Sequence, residues 1–165
     1  MRRLIARHAR AAARGLTLVE LMVGLAIAAI LLMAAAPSFT DYVTNSRLRE
    51  SGNVLYTQAL LAQSEAIKRN TVVRLSTNGA LVQVIDRSDV NAPVVLFERR
   101  LSEGVTMNAV DVDFAGEGRP LNFAAAAIDL ATSAGACSSE TRCPGLRVDG
   151  GGGLRLCGDH TVACP

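Results

Sequence analysis

Apolar positions follow three different rhythms along this chain. Residues 21–40 form a stretch of twenty positions without a charge, opened by Glu20 and carrying Pro37 near its end. At about 1.5 Å per helical residue it reaches roughly 30 Å, the thickness of a bilayer core. A helical stripe follows: Leu48, Gly52, Leu55, Ala59, Ala62 and Ala66 recur at spacings of three or four, as one buried helix face requires. Tyr56, Leu60 and Ile67 flank this stripe, and Arg49, Glu50, Glu65 and Lys68 are expected on the opposite, solvated face. Small residues on the stripe would let a sheet come close. Lys68-Arg69-Asn70 suits a helix end, because cations favour the last turn and Asn tolerates the stop. The pattern predicts one long helix over about 16–69, with Ser51-Gly52-Asn53 as a weak point.

Beyond residue 70 the period becomes two. Residues 71–76 and 80–85 read as strands around Thr77-Asn78-Gly79, a hairpin signal. Residues 94–97 form a third strand and 105–114 a fourth. The fourth changes phase: Val105 and Met107 share one parity, Val110, Val112 and Phe114 the other, so a bulge is expected near Asn108-Ala109. Residues 121–123 suggest a short fifth strand, and the Ala-rich stretch 124–136 is open between loop and short helix. Residues 145–149 and 153–157 bracket the run Gly150 to Gly153 as a terminal hairpin. The expected fold class is α+β: a long N-terminal helix, its first half transmembrane, packed on a small antiparallel β-rich domain.

Composition sharpens this picture. Hydrophobic residues make up 50% and aromatics 4%, so the core must be aliphatic. Arg2, Arg3, Arg7, Arg10 and Arg14 place five of the seventeen basic residues before residue 16, with no acid among them. The remainder holds twelve basic against fifteen acidic residues, a net −3, and has no global field to draw nucleic acid. Basic residues ahead of the apolar run place the leader in the cytoplasm and the C-terminal domain across the membrane. A secretory signal cut after Met33-Ala34-Ala35-Ala36 is an alternative, but the run is long for one and opens with an acid. A plain anchor would give Glu20 no role, although a carboxylate in hydrocarbon is costly enough to need one.

The N-terminal residues match a family. Gly15 followed by Leu16-Thr17-Leu18-Val19-Glu20 closely resembles the processing site of type IV pilins and type II secretion pseudopilins. The resemblance implies cleavage between Gly15 and Leu16 by a membrane prepilin peptidase, with N-methylation of the new amino terminus at Leu16. Phe is usual at that position, so Leu16 is a departure. Gly15, Glu20 as fifth mature residue and Pro37 all fit. Glu20 would pair with the α-amino group of a neighbouring subunit, whose reference pKa of about 8 keeps it mostly charged. Head-to-tail contacts of that kind build a filament rather than a ring. Pro37 would kink or loosen the helix, or end its membrane part. Residues 61–70 followed by Val72-Val73 look like the minor pilin subfamily that includes FimT, FimU and the secretion pseudopilin GspH. That subfamily implies a β-rich domain of two small sheets. The likeness is diffuse between residues 80 and 140.

Chemistry in the ordinary sense is sparse. After cleavage one histidine would remain, His160, and no G-x-S-x-G, H-E-x-x-H or phosphate loop appears. Asp111 and Asp113 alternate along a strand and are expected to face water, and no enzyme or cofactor is expected. Cys137, Cys143, Cys157 and Cys164 all fall in the last 29 residues. An even number beyond a membrane segment reads as two disulfides in an oxidising compartment. Three pairings are open, with Cys143–Cys157 a rival that would clasp the terminal hairpin. Zinc on Cys143, Cys157, His160 and Cys164 is the less favoured use. Some FimT-like relatives take up DNA through a C-terminal Gly-Arg-x-Arg stretch. Here Gly153-Leu154-Arg155-Leu156-Cys157 keeps only the second arginine. Arg142 and Arg147 supplement it and Asp149 and Asp159 dilute it, so weak DNA binding is the alternative function.

The expectation is a structural subunit of a type IV pilus or type II secretion filament. Residues 1–15 would be a cytoplasmic leader, 16–40 the transmembrane half of the helix, and 41–165 a periplasmic domain. Its partners would be other pilins, prepilin peptidase and inner-membrane lipid, with nucleic acid an unfavoured partner.

Overall fold

The computed structural model describes residues 17–133, 137–138, 140–162 and 164, without the side chains of Ala36 and Pro37. A long helix, α1 (Leu18–Arg69), opens the described chain. Thr17 caps it: its Oγ1 accepts the Glu20 N–H at 3.2 Å and its carbonyl accepts the Leu21 N–H at 3.1 Å. The first of these satisfies one of the orphan donors of a helix start, and the second is the first intrahelical bond. At the far end Asn70 takes a φ of +51°. The Thr71 N–H then reaches back to the Ala66 carbonyl at 3.2 Å, as an αL stop permits. The chain divides between Ser38 and Phe39 into two units.

The first unit, within its described residues, is the apolar part of α1. Leu18–Ala35 is long and apolar enough to cross a membrane, and none of it is buried by protein. Leu18 is 75% exposed and Met33 78%.

In the second unit α1 covers an antiparallel sheet of seven strands, ordered β3-β2-β1-β4-β5-β6-β7. The strands are β1 (Val73–Gly79), β2 (Leu81–Asp86), β3 (Val94–Arg100), β4 (Val105–Phe114), β5 (Ala126–Thr132), β6 (Gly145–Val148) and β7 (Leu154–Cys157). Leu48, Leu55, Ala59, Ala62 and Ala66 are fully buried against inward residues of the sheet, among them Val73, Leu75, Val84, Phe114, Ile128 and Leu146. Each large aliphatic side chain so buried contributes about 1.5–3 kcal/mol. Gly52 packs rather than weakens. The helix runs through it, and a Cβ there would stand 3.1 Å from Pro144 Cβ.

The β1–β2 turn is tight: Asn78 pairs with Leu81, leaving Gly79 and Ala80 between them, and Gly79 has a φ of +60°. That is the position where a two-residue hairpin favours glycine. The bulge in β4 is present. Thr77 faces Val110 and Gly79 faces Met107, so Asn108 and Ala109 together oppose Asn78. Both Val105 and Met107 before it and Val112 and Phe114 after it are buried.

Four expectations change. Residues 121–123 form a 3₁₀ turn, with Asn122 and Phe123 at positive φ, not a strand. The Ala-rich stretch holds β5, neither loop nor helix. The two small sheets are one ladder, because β5 serves both halves. Its residues Leu130 to Thr132 pair with β4, and Ala126 to Asp129 pair with β6. Glu65, expected on the solvated face, is buried at 7% exposure. Its carboxylate accepts from Arg69 Nε at 2.7 Å and Lys68 Nζ at 3.3 Å, and the first of these bonds, then the second, lowers its pKa from the ordinary carboxylate value.

Candidate functional site

Gly15 and Leu16 lie outside the described residues. Glu20 sits in the first turn of α1, among the exposed Leu18, Val19 and Leu21. The positive end of the helix dipole favours an acid there. The Thr17 cap uses the backbone N–H of Glu20, not its carboxylate. Pro37 falls within α1, so the helix does not end there.

The C-terminal half brings the cysteines together in local pairs, Cys137 with Cys143 and Cys157 with Cys164. The Cα atoms stand 5.7 and 5.5 Å apart, inside the usual disulfide range. The crossed pairing does not form. His160 is not joined to the cysteine sulfurs; its backbone N–H donates to the Cys143 carbonyl at 2.8 Å and its Nε2 lies 3.3 Å from the Leu130 carbonyl.

The three candidate arginines are not one patch. Arg147 and Arg155 are cross-strand partners on β6 and β7. Arg147 Nη1 is held by Asp129 Oδ1 of β5 at 2.5 Å, which cancels much of its charge. Arg155 is exposed and has no ion pair among the described residues. Arg142 stands apart, beside Asn45, Arg49 and Leu156 in a groove of about 400 Å³ between α1 and the terminal hairpin. Its backbone N–H donates to Asn45 Oδ1 at 3.0 Å. Asp159 lowers the local potential further: the Thr161 hydroxyl, then the Thr161 N–H, keeps it below the usual carboxylate range. Asp111 and Asp113 are no acid–base pair. Arg74 clamps Asp113 with two bonds of 2.7 Å and reaches Asp111 at 2.7 Å.

Several positioning residues escaped the sequence reading. Gln63 Nε2 donates to the carbonyls of Gly118 at 2.6 Å and Gly152 at 2.8 Å, tying α1 to two loops. Asn108 in the bulge donates to the Ala127 carbonyl at 3.1 Å and accepts the Asp129 N–H at 2.7 Å. Its amide substitutes for a ladder rung where β5 leaves β4 for β6. Polar residues beside small ones on a helix or bulge would have been the only sequence signal for either.

The architecture is an unburied apolar helix carrying one acid, continued into a helix that covers an antiparallel sheet. Comparison with known proteins assigns it. Residues 10–36 match the prokaryotic N-terminal methylation motif, and residues 51–152 match the type II transport protein GspH family. The chain belongs to the GspH family, and with it to the minor pilins and pseudopilins of type IV pili and type II secretion. The fold is shared with the type IV minor pilin FimU of Pseudomonas aeruginosa. That likeness has a TM-score of 0.55 and 12% identity over 70% of this chain and 91% of FimU. It is also shared with the minor pseudopilin EpsH of the Vibrio cholerae type 2 secretion system, at TM-score 0.54 and 14% identity over 68% of this chain and 97% of EpsH. No curated protein sequence matches. These likenesses are to structural subunits, not enzymes, and the single N-terminal apolar helix fits anchorage in an inner membrane.

Proposed function

We propose that this chain is a processed minor subunit of a pilus or secretion filament. A prepilin peptidase cuts between Gly15 and Leu16, and the new amine is methylated. Residues 16–40 hold the subunit in the inner membrane, and 41–165 stand in the periplasm, where both disulfides form. Glu20 then meets the amino terminus of a neighbour and sets the axial register of one helix against the next.

One observation carries this reading. α1 starts at Leu18, two residues after the proposed first mature position and capped by Thr17 between them, and exposes its whole apolar span with a lone acid in its first turn. Mass spectrometry of native material tests it. A mature chain beginning with methylated Leu16 is the expected result. An intact Met1, or trimming after Ala36, would sink the proposal.

A further inference from the structure

A groove of about 560 Å³ lies between α1 and the edge strand β3, lined by Ser46, Arg49, Asn53, Thr57, Gln58 and Arg99 among others. Three independent features mark it. Gln58 is only 7% exposed, yet its Oε1 finds no donor among the described residues. A buried acceptor without a partner is costly enough to need an explanation. Arg49 and Arg99 enter the same groove exposed and without ion pairs among the described residues, while Glu50, its one acid, already accepts the Ser102 hydroxyl at 3.0 Å. The third feature is the strand itself. Among the described residues β3 pairs only with β2, which leaves its outer backbone edge open. Along it Val94, Val95 and Phe97 are 58, 49 and 41% exposed. Charges guard an edge against pairing. On β3 they occupy only Glu98, Arg99 and Arg100, leaving the Val94 end unguarded.

We propose that the β3 edge and the groove behind it receive an extended, carboxylate-bearing segment of a neighbouring subunit. The incoming strand completes the open ladder of β3, which supplies affinity through main-chain hydrogen bonds. Its acid meets Arg99 and Arg49, and a donor on it satisfies Gln58 Oε1. A nucleic acid fits less well: it has no strand edge to offer β3, and it would meet Glu50 and the exposed valines. That the segment belongs to a filament neighbour rests on the function proposed above. The pairing chemistry does not.

The test uses the full isotope-labelled chain in detergent micelles, titrated with an acetylated Thr-Val-repeat heptapeptide carrying a central Glu. Amide shifts should map to β3 and to the Gln58 side chain. The same peptide with a central Lys should bind about fivefold more weakly at low salt, a gap that closes as salt rises. Arg99→Glu should reverse the preference. Gln58→Leu should weaken binding without lowering the melting temperature, which separates lost recognition from lost folding. Equal binding of the two peptides, or shifts confined to other surfaces, would overturn the proposal. Concentration-dependent shifts at β3 without peptide would overturn it in favour of a second copy, and the same shifts with a short DNA duplex in favour of nucleic acid. Because the peptide reports on the groove alone, a null titration with normal N-terminal trimming removes this inference only. An untrimmed chain that still binds the peptide removes the filament reading instead.

Discussion

Thr77→Val is predicted to destabilise the β domain out of proportion to its size. Thr77 is 2% exposed and sits opposite the bulge on which β4 changes face. Its Oγ1 lies 2.9 Å from the Asn108 carbonyl and 3.0 Å from the Val110 carbonyl, and it accepts the Val110 N–H at 3.1 Å. A hydroxyl has one proton and two lone pairs, so it donates to one of these carbonyls while holding the amide. Valine keeps the shape and removes all of that. Each buried group left without a partner costs about 1–3 kcal/mol, and some relaxation toward water recovers part of it. A net loss of about 2 kcal/mol follows, or a melting temperature lower by roughly 6–12 °C for a unit of this size. Thr77→Ser is the control, since it keeps the hydroxyl and loses one methyl, worth about 1 kcal/mol. Urea unfolding of the full chain in detergent, followed through amide resonances of β1 and β4, measures both. Faster exchange of the Val110 amide in the valine variant should accompany the loss. If valine matches the wild type, or serine costs more than valine, the hydroxyl does not hold the bulge and the reasoning fails.

Glu20→Ala should insert normally but enter filaments poorly, read by fractionation against sheared filament; normal assembly would remove the role given to that carboxylate. Acid should weaken the last turns of α1 through Glu65, which Lys68 and Arg69 of the same helix hold. Its folded pKa lies below the unfolded value, so its contribution is complete above the ordinary carboxylate range and is lost as pH falls through the depressed one. Glu65→Gln should therefore flatten the acid limb of a plot of urea midpoint against pH, and an equally steep limb in both proteins would contradict this. Binding to duplex DNA should be weak and strongly salt-dependent, because Asp129 already occupies Arg147 and, among the described residues, Arg155 is the hairpin arginine without an ion pair. A tight, salt-resistant complex in a mobility-shift titration would reverse the ranking of the two functions.

The helix, the hairpins and the β4 bulge were legible because each leaves a local trace. The stripe from Leu48 to Ala66 repeats at helical spacing, Gly79 marks its turn, and two parities in β4 cannot share a face without an extra residue. β5 left no such trace. Its Ile128 and Leu130 alternate, but alanines surround them and alanine has little preference for strands. Neighbours make it a strand: Asn108 from the bulge on one side, β6 on the other. Residues 121–123 misled in the opposite sense. Three positions of strand-like composition adopt a turn, with Phe123 exposed under the Arg119 guanidinium, 4.4 Å from its ring centre. Glu65 looked solvated because it is charged, yet its charge is met within the helix one turn on. The pairing of Arg147 with Asp129 joins residues 18 apart that only the β5–β6 register brings together.

The acid of the apolar helix has two explanations, and they predict different things. In the local one, Glu20 is a helix-start residue, favoured by the dipole and by a Thr-x-x-Glu pattern that suits a capping box. The structure satisfies that start without it: Thr17 receives the Glu20 amide, and no hydrogen bond or ion pair reaches the carboxylate among the described residues. A cap of this kind would survive Glu20→Gln, which keeps the amide and the length of the side chain. In the assembly explanation the charge itself matters, because a neutral amide cannot attract a neighbour's ammonium. Leu18–Ala35 offers nothing else polar enough to fix one helix axially against the next, since apolar side chains in lipid pack almost equally well at many offsets. The proposed pairing with a neighbour's amine therefore predicts that Glu20→Gln lowers filament entry as much as Glu20→Ala does, whereas normal entry of Glu20→Gln would leave the carboxylate a local helix-start residue.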